Sequence, residues 1–367
     1  MKKTIQEVVG EFGLLELPVE AEENPVNLDY IRQTNPFLVV CLGLGRDSVA
    51  LLILLKSLDL RPDLIVFSDL GMEKDSTYAY LPVLEKWLAA AGFPPVEVIK
   101  ASRLRDLSFE HHLFRLGIFP SLAYGKHRCS VMWKIEVIDE FLNRHPAFQN
   151  ALLHRREVVK CVGFEKGEEY RAERKKSANG ASFALDPGQR VWFPLIEHNL
   201  TLTDCIRLIE REIGSVPPKS SCYLCPAMKP DEIEALEQTE PEKFFKALVL
   251  EYLVQHNTVV LPGRVQGLSF GKKWSELAPA RKYLPAVETA VAGFKLERTL
   301  QDGLRHGEHW KGKARRVDLF LQFFNQENLA LFLSGGVLPA PLREQIEASF
   351  SIEALNPDLS ANLLFAL

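Results

Sequence analysis

Long apolar runs are missing from this chain of 367 residues. The longest, around positions 37–44, is far shorter than the roughly 20 residues a membrane-spanning helix needs, so no membrane span is predicted. Cysteine is scarce as well. Six in a chain of this size are too few for a disulfide scaffold, and they read as reduced thiols with some held back as metal ligands. A basic surplus is also lacking: the net charge is −4, which gives no global field for nucleic acid and leaves only local patches to consider. The opening MKKTIQEVVGEFGLLELPVE has two lysines, but acidic residues interrupt everything after them, so it does not read as a secretory leader. A cytoplasmic location is the expectation. Internal repeats and low-complexity tracts are absent.

What is present is ordinary globular material, 47% hydrophobic and 25% charged, enough for one large domain with an appendage or for two domains. Positions 1–36 form a helical, partly acidic lead-in. Strands are predicted over 37–44, 63–70, 96–100 and 158–164, with helices over 47–58, 75–92 and 203–212 and helical segments near 101–116 and 131–144. Continuous apolar strands alternating with amphipathic helices predict an α/β fold: a parallel sheet of about five strands covered by helices on both faces. A polar loop over 165–190 carries most of the local charge. Positions 37–235 thus form the α/β domain, and 236–367 a mainly helical C-terminal region.

The first strand runs into 43-GLGRDS-48. A glycine-rich turn feeding a helix N-terminus exposes backbone N–H groups that suit a phosphate. It also reads as a tight connection with Asp47 or Ser48 as a helix cap. The turn lacks the GK[ST] of a P-loop and a full GxGxxG. Its Asp-Ser ending offers a carboxylate for Mg²⁺. In open parallel sheets ligands sit beyond the carboxyl ends of the strands, and 68-SDLGME-73 ends the second strand on that same side.

These elements resemble the PP-loop (adenine nucleotide α-hydrolase-like) superfamily, and within it the phosphoadenosine phosphosulfate (PAPS) reductase-like family. The resemblance rests on GLGRDS, 67-FSDLG-71, 128-RCSVMWK-134, 163-GFEKGEEYR-171, 193-FPL-195 and 219-KSSCYLCP-226, in that order over about 37–230. The chain departs from the family at Gly43, where the motif has serine, at Leu44, where it has glycine, and at Leu70, where threonine is usual. The resemblance implies that Gly43, Gly45, Arg46, Asp47 and Ser48 hold nucleotide phosphates, with Arg46 compensating for the lost hydroxyl. It also sets Asp69 and Gly71 against the ribose or adenine. Arg128, Lys134 and Arg171 become the cations for a sulfate or a developing pyrophosphate charge, and Asp47, Arg128 and Arg171 the catalytic set. Lys126 and His127, and Arg174, Lys175 and Lys176, extend the two basic clusters. Glu73 reads either as a metal neighbour or as a surface carboxylate.

Cys222 and Cys225 form a CxxC closed by Pro226, a spacing that lets both thiolates reach one metal. Cys129 sits where the family places a third cysteine. The three would hold a [4Fe–4S] cluster, or a Zn²⁺ with His127 or Cys161 as fourth ligand, or no metal at all. Cys41 and Cys205 read as core.

The chain has no cysteine after Cys225, whereas PAPS reductases carry a late catalytic one. The reaction implied by the resemblance is therefore that of an ATP pyrophosphatase. With ATP and Mg²⁺ it adenylates a substrate for sulfur transfer, as in DNA phosphorothioation and tRNA thiolation. The alternatives are a PAPS or APS (sulfonucleotide) reductase or its relic, and a non-catalytic nucleotide-binding subunit of a larger, for example defence, complex. The basic stretch 305-RHGEHWKGKARR-316, with 271-GKKW-274, reads as a nucleic-acid track with Trp310 stacking a base, or as a solvated loop. A sulfur-donating or defence-complex protein is the other partner expected.

Overall fold

Five apolar segments pair side by side in the computed structural model of the protein, which describes residues 26–101, 108–125, 128–177, 189–256, 267–269, 272–288 and 329–330, without the side chains of 115, 128, 174–177 and 256. They are β1 (Phe37–Leu42), β2 (Leu64–Asp69), β3 (Val96–Lys100), β4 (Val158–Val162) and β5 (Gln189–Trp192). All pairings are parallel, and the order is β3-β2-β1-β4-β5. The inner strands are rich in β-branched and aliphatic residues because both of their faces are covered.

Alternation along the strands divides the core. Leu38, Val40, Ile65, Phe67, Val159 and Cys161 face one side, where they meet α1 (Leu28–Thr34), α2 (Arg46–Ser57), α3 (Asp75–Ala90), α9 (Pro194–Glu197) and α10 (Leu202–Glu212). Phe37, Val39, Leu64, Val66 and Val158 face the other, under α6 (Glu136–Leu142) and α7 (Pro146–Leu153). At the foot of the sheet, Arg156 grips Asp63 with two hydrogen bonds of 2.8 and 3.1 Å, and the Asp63 carboxylate accepts from the Leu38 amide.

A third apolar cluster lies beyond this sandwich. It joins Leu70 and Met72 to α4 (Phe109–Leu116), Trp133, Tyr223, Leu224, α11 (Pro230–Thr239), α12 (Pro241–His256), Trp274, Tyr283 and Leu329. The helices past position 235 therefore complete a core that begins at the end of β2. Trp274 is 1% exposed, stacks on Phe244 and donates its indole N–H to Ser269, so the aromatic of GKKW is unavailable to stack a base. No helix among the described residues is long and apolar enough to cross a membrane.

Candidate functional site

The strand order reverses between β1 and β4, because β2 and β3 extend the sheet one way from β1 while β4 and β5 extend it the other. At that switch point the loops after the two central strands diverge and leave a crevice, the usual ligand position of an open parallel sheet. A cavity of about 510 Å³ lies there, lined from both loops. Small-molecule sites run from about 300 to 1,000 Å³.

GLGRDS forms its rim. Helix α2 starts at Arg46 with Gly45 as N-cap and no side-chain cap. The amides of its first turn therefore have no carbonyl ahead of them within the helix, and Gly45, Arg46, Asp47 and Ser48 line the cavity. Ser48 is not that cap. Its hydroxyl accepts from the Gly43 amide at 3.2 Å and donates to the Gly45 carbonyl at 3.1 Å, which locks the turn from inside. Leu44 takes the left-handed conformation at φ 54° with its side chain fully buried. The backbone there has the shape a glycine adopts freely, and a leucine holds it because burial outweighs strain of about 1–2 kcal/mol. Gly163, which follows β4, packs directly on the turn. A Cβ there would lie 2.9 Å from backbone atoms of Asp47 and Ser48.

Charge is concentrated around the cavity. Arg46, Lys134, Lys160, Arg171 and Lys219 line it, together with Asp47, Glu165 and Glu168. Arg171 pairs with Glu168 at 2.5 Å and lies over the Phe164 ring. Lys219 pairs with Glu232 at 2.8 Å. The Arg46 Nε, Asp47 Oδ1, Glu165 Oε2 and Glu168 Oε2 are buried without a hydrogen-bond partner. Burial, and after it the Glu168 charge, pushes the Asp47 carboxyl up to about 6 against the pull of Arg171 and Arg46. Burial, then Asp47 and Glu168, pushes Glu165 up to about 7. These three carboxylates repel one another, and they do not by themselves form a group that could hold a metal ion.

Lys134 reaches the cavity through a local irregularity. After α5 (Arg128–Ser130) the chain makes a π-helical turn (Val131–Ile135) before α6. Ser68, at the end of β2, donates to the Trp133 carbonyl at 2.9 Å within that turn. A π-turn widens the helix by one residue and often marks a functional site. Here Lys134 both lines the cavity and pairs at 3.3 Å with Glu73, which is 1% exposed. Burial disfavours the Lys134 charge, but Glu73 and the nearby Cys222 and Cys225 outweigh it and hold the ammonium above its ordinary value.

The expected residues thus separate. Gly43, Gly45, Arg46, Asp47, Ser48, Lys134 and Arg171 share the cavity. Asp69 and Gly71 are not among its lining residues, because the Asp69 carboxylate turns back onto the Gly71 amide (2.8 Å) and the Tyr78 hydroxyl (2.6 Å). Glu73 is a buried ion-pair partner rather than a surface carboxylate. Of Arg128, Arg174, Lys175 and Lys176 only the backbone is described, and Lys126, His127, Gly271 and 305–316 lie outside the described residues.

Among the described residues no three His, Cys, Asp or Glu side chains form a group that could hold a metal ion. Cys161 is wholly buried in the cluster packed under α2, where burial raises its thiol pKa. Cys205 is core as expected, but Cys41 is only partly buried and lines the cavity. Cys222 and Cys225 hydrogen-bond to one another. That bond, supported by the Ala227 amide and by Lys134 and Lys219, brings Cys225 down to about 7 and drives Cys222 up.

Sequence reasoning passed over Lys160, Glu165, Glu168, Lys219 and Ser220. Lys160 had a readable signal: a lysine inside the apolar strand VVKCV must reach a partner or a cavity, and it does both, pairing with Asp139. Glu168 stands at the fixed acidic position of GFEKGEEYR but was given no role, and Glu165 carried no distinguishing mark. The chain matches no protein-family model, and no curated protein or solved structure matches it.

Proposed function

We propose that the protein binds an adenine nucleotide with its phosphates on the GLGRDS turn and acts as an ATP pyrophosphatase for sulfur transfer. An oxygen of a second substrate attacks the α-phosphate, pyrophosphate leaves, and the adenylated substrate is then open to displacement by a sulfur nucleophile. The observation that carries this reading is the uncapped, amide-presenting turn at the sheet's switch point, opening on a cavity with five cationic side chains. Arg46, with its buried Nε unpartnered, and Arg171 would offset the charge that gathers on the departing pyrophosphate. The buried, unpartnered oxygen of Asp47 fits a magnesium ion, which when bound with the nucleotide would neutralise phosphate charge.

The resemblance to PAPS reductase-like proteins supports the same reading, and the missing late cysteine counts against sulfonucleotide reduction. A nucleic-acid acceptor and a sulfur-donating or defence-complex partner extend the proposal through the basic C-terminal stretch. A second reading, a nucleotide-binding subunit without catalysis, draws on Gly43, where a catalytic-family hydroxyl is missing.

Pyrophosphate release from Mg-ATP, measured with and without nucleic acid, tests both. Release that falls at least a hundredfold in Asp47→Ala, while the variant stays folded, supports the enzyme. Tight ATP binding with no release under any condition leaves the binding subunit.

A further inference from the structure

We propose that Cys222 and Cys225 form a thiol–disulfide exchange site, a dithiol that a low-molecular-weight disulfide closes into an intramolecular disulfide. The inference does not rest on the nucleotide reading. It begins from the two thiols themselves, which share one turn while Cys161 is sealed in a different part of the core.

Cys222 and Cys225 occupy one tight turn, with the Cys225 amide donating to the Cys222 carbonyl at 3.0 Å and the Met228 amide to the Cys225 carbonyl at 3.1 Å. Such a turn brings the two Cα atoms within about 7 Å, inside disulfide range. The residues between them anchor it. Tyr223 and Leu224 are buried, and Tyr223 donates its hydroxyl to Glu110 and its amide to the Met72 carbonyl. Both residues keep part of their surface exposed, the side from which a small disulfide would approach.

Two further groups complete the site. Glu73 forms an antiparallel bridge with Cys222. Its carboxylate is buried, with Oε1 on Lys134 and Oε2 without a partner, which leaves a proton acceptor beside the inner thiol. Lys134 supplies the cation that favours a thiolate.

The exchange balances in atoms and electrons. The Cys225 thiolate attacks one sulfur of R–S–S–R, the S–S bond breaks, and RS⁻ leaves, giving a mixed disulfide on Cys225. Cys222 then gives up its proton and attacks the Cys225 sulfur, displacing the second RS⁻. The protein loses two electrons and the small disulfide gains them. Because Lys134 also lines the cavity, closing the pair removes thiolate charge from beside a cavity cation.

The test uses the full chain, purified without oxygen and assayed for zinc and iron. It is equilibrated in glutathione buffers of rising disulfide content, its free thiols are alkylated, and the peptides are read by mass spectrometry. The expected result is a Cys222–Cys225 disulfide that accumulates and reverses with dithiothreitol. Cys222→Ser should stop at a glutathione adduct on Cys225, and Cys129→Ser should leave the yield unchanged. The proposal is overturned by any one of three results: both thiols alkylated in the most oxidising buffer, a disulfide to Cys129 instead, or stoichiometric metal that must be removed before either thiol reacts. The wild-type experiment decides even where a variant fails to fold.

Discussion

A single methyl group is a sharp probe of the phosphate cradle. In Gly163→Ala the new Cβ would meet the Asp47 carbonyl and the Ser48 nitrogen at 2.9 Å, all backbone that cannot rotate aside. In Gly45→Ala it would press on the Ser220 hydroxyl, a side-chain end that can turn away. Overpacking costs about 1–3 kcal/mol, and against backbone the turn itself must yield. Gly163→Ala should therefore weaken ATP binding by about tenfold or more. Gly45→Ala should weaken it less and recover in the double variant with Ser220→Ala. Calorimetric titration checks this ranking, and unchanged binding in a folded Gly163→Ala would remove the turn from the site. The motif located the turn, but not how Ser48 is used. A hydroxyl three residues into a helix reads as a cap until the loop before it is seen to fold over it.

Elements were legible where one force acts alone. The inner strands announced themselves by their apolar runs, and β3 matches its expected bounds of 96–100. The charged stretch after β4 hid helix α8 (Glu169–Ser177) and the start of β5, because a polar surface carries no apolar period. The π-turn had no sequence signal at all, since its Trp133 carbonyl accepts from the hydroxyl of Ser68 on another element. Glu251 is a case where tertiary demand decides. This carboxylate on α12 is 1% exposed and accepts hydrogen bonds from the amides of Leu268, Trp274 and Ser275 and from the Ser275 hydroxyl. Glu251→Ala would strand two buried amides and a part-buried one, and each buried unsatisfied group costs about 1–3 kcal/mol. Urea denaturation should show a loss of roughly 3 kcal/mol or more, with the fluorescence of Trp274 changing before the sheet unfolds. A loss below about 1 kcal/mol would mean that water replaces the carboxylate.

At the scale of the molecule the alternation of strands and helices predicted the class of fold, but not the strand order, which depends on which helix covers which face. The cavity arises from that order, so the sequence singled out Asp47 but not the Glu165 and Glu168 that the fold brings beside it. Their presence has a measurable consequence. Asp47 stands at about 6 and Glu165 at about 7, both raised. A raised carboxyl binds its proton more tightly in the folded state, so its contribution to stability is full below the ordinary carboxylate range and is lost as pH climbs through 6 and 7. The ligand-free protein should therefore be less stable at about pH 8 than at about pH 5. Asp47→Asn removes one of the repelling charges. Its melting temperature should match the wild type at the acid end and exceed it by a few degrees at the alkaline end, about 1 kcal/mol once solvent screening is allowed for. Added magnesium with ATP should stabilise the wild type more at the alkaline end than at the acid end, because binding a cation requires the carboxylates to be ionised. Scanning calorimetry across the pH range separates the cases. A melting-temperature difference that stays constant with pH would show the three carboxylates to be independent and solvated, leaving no electrostatic place for a cation in the cavity.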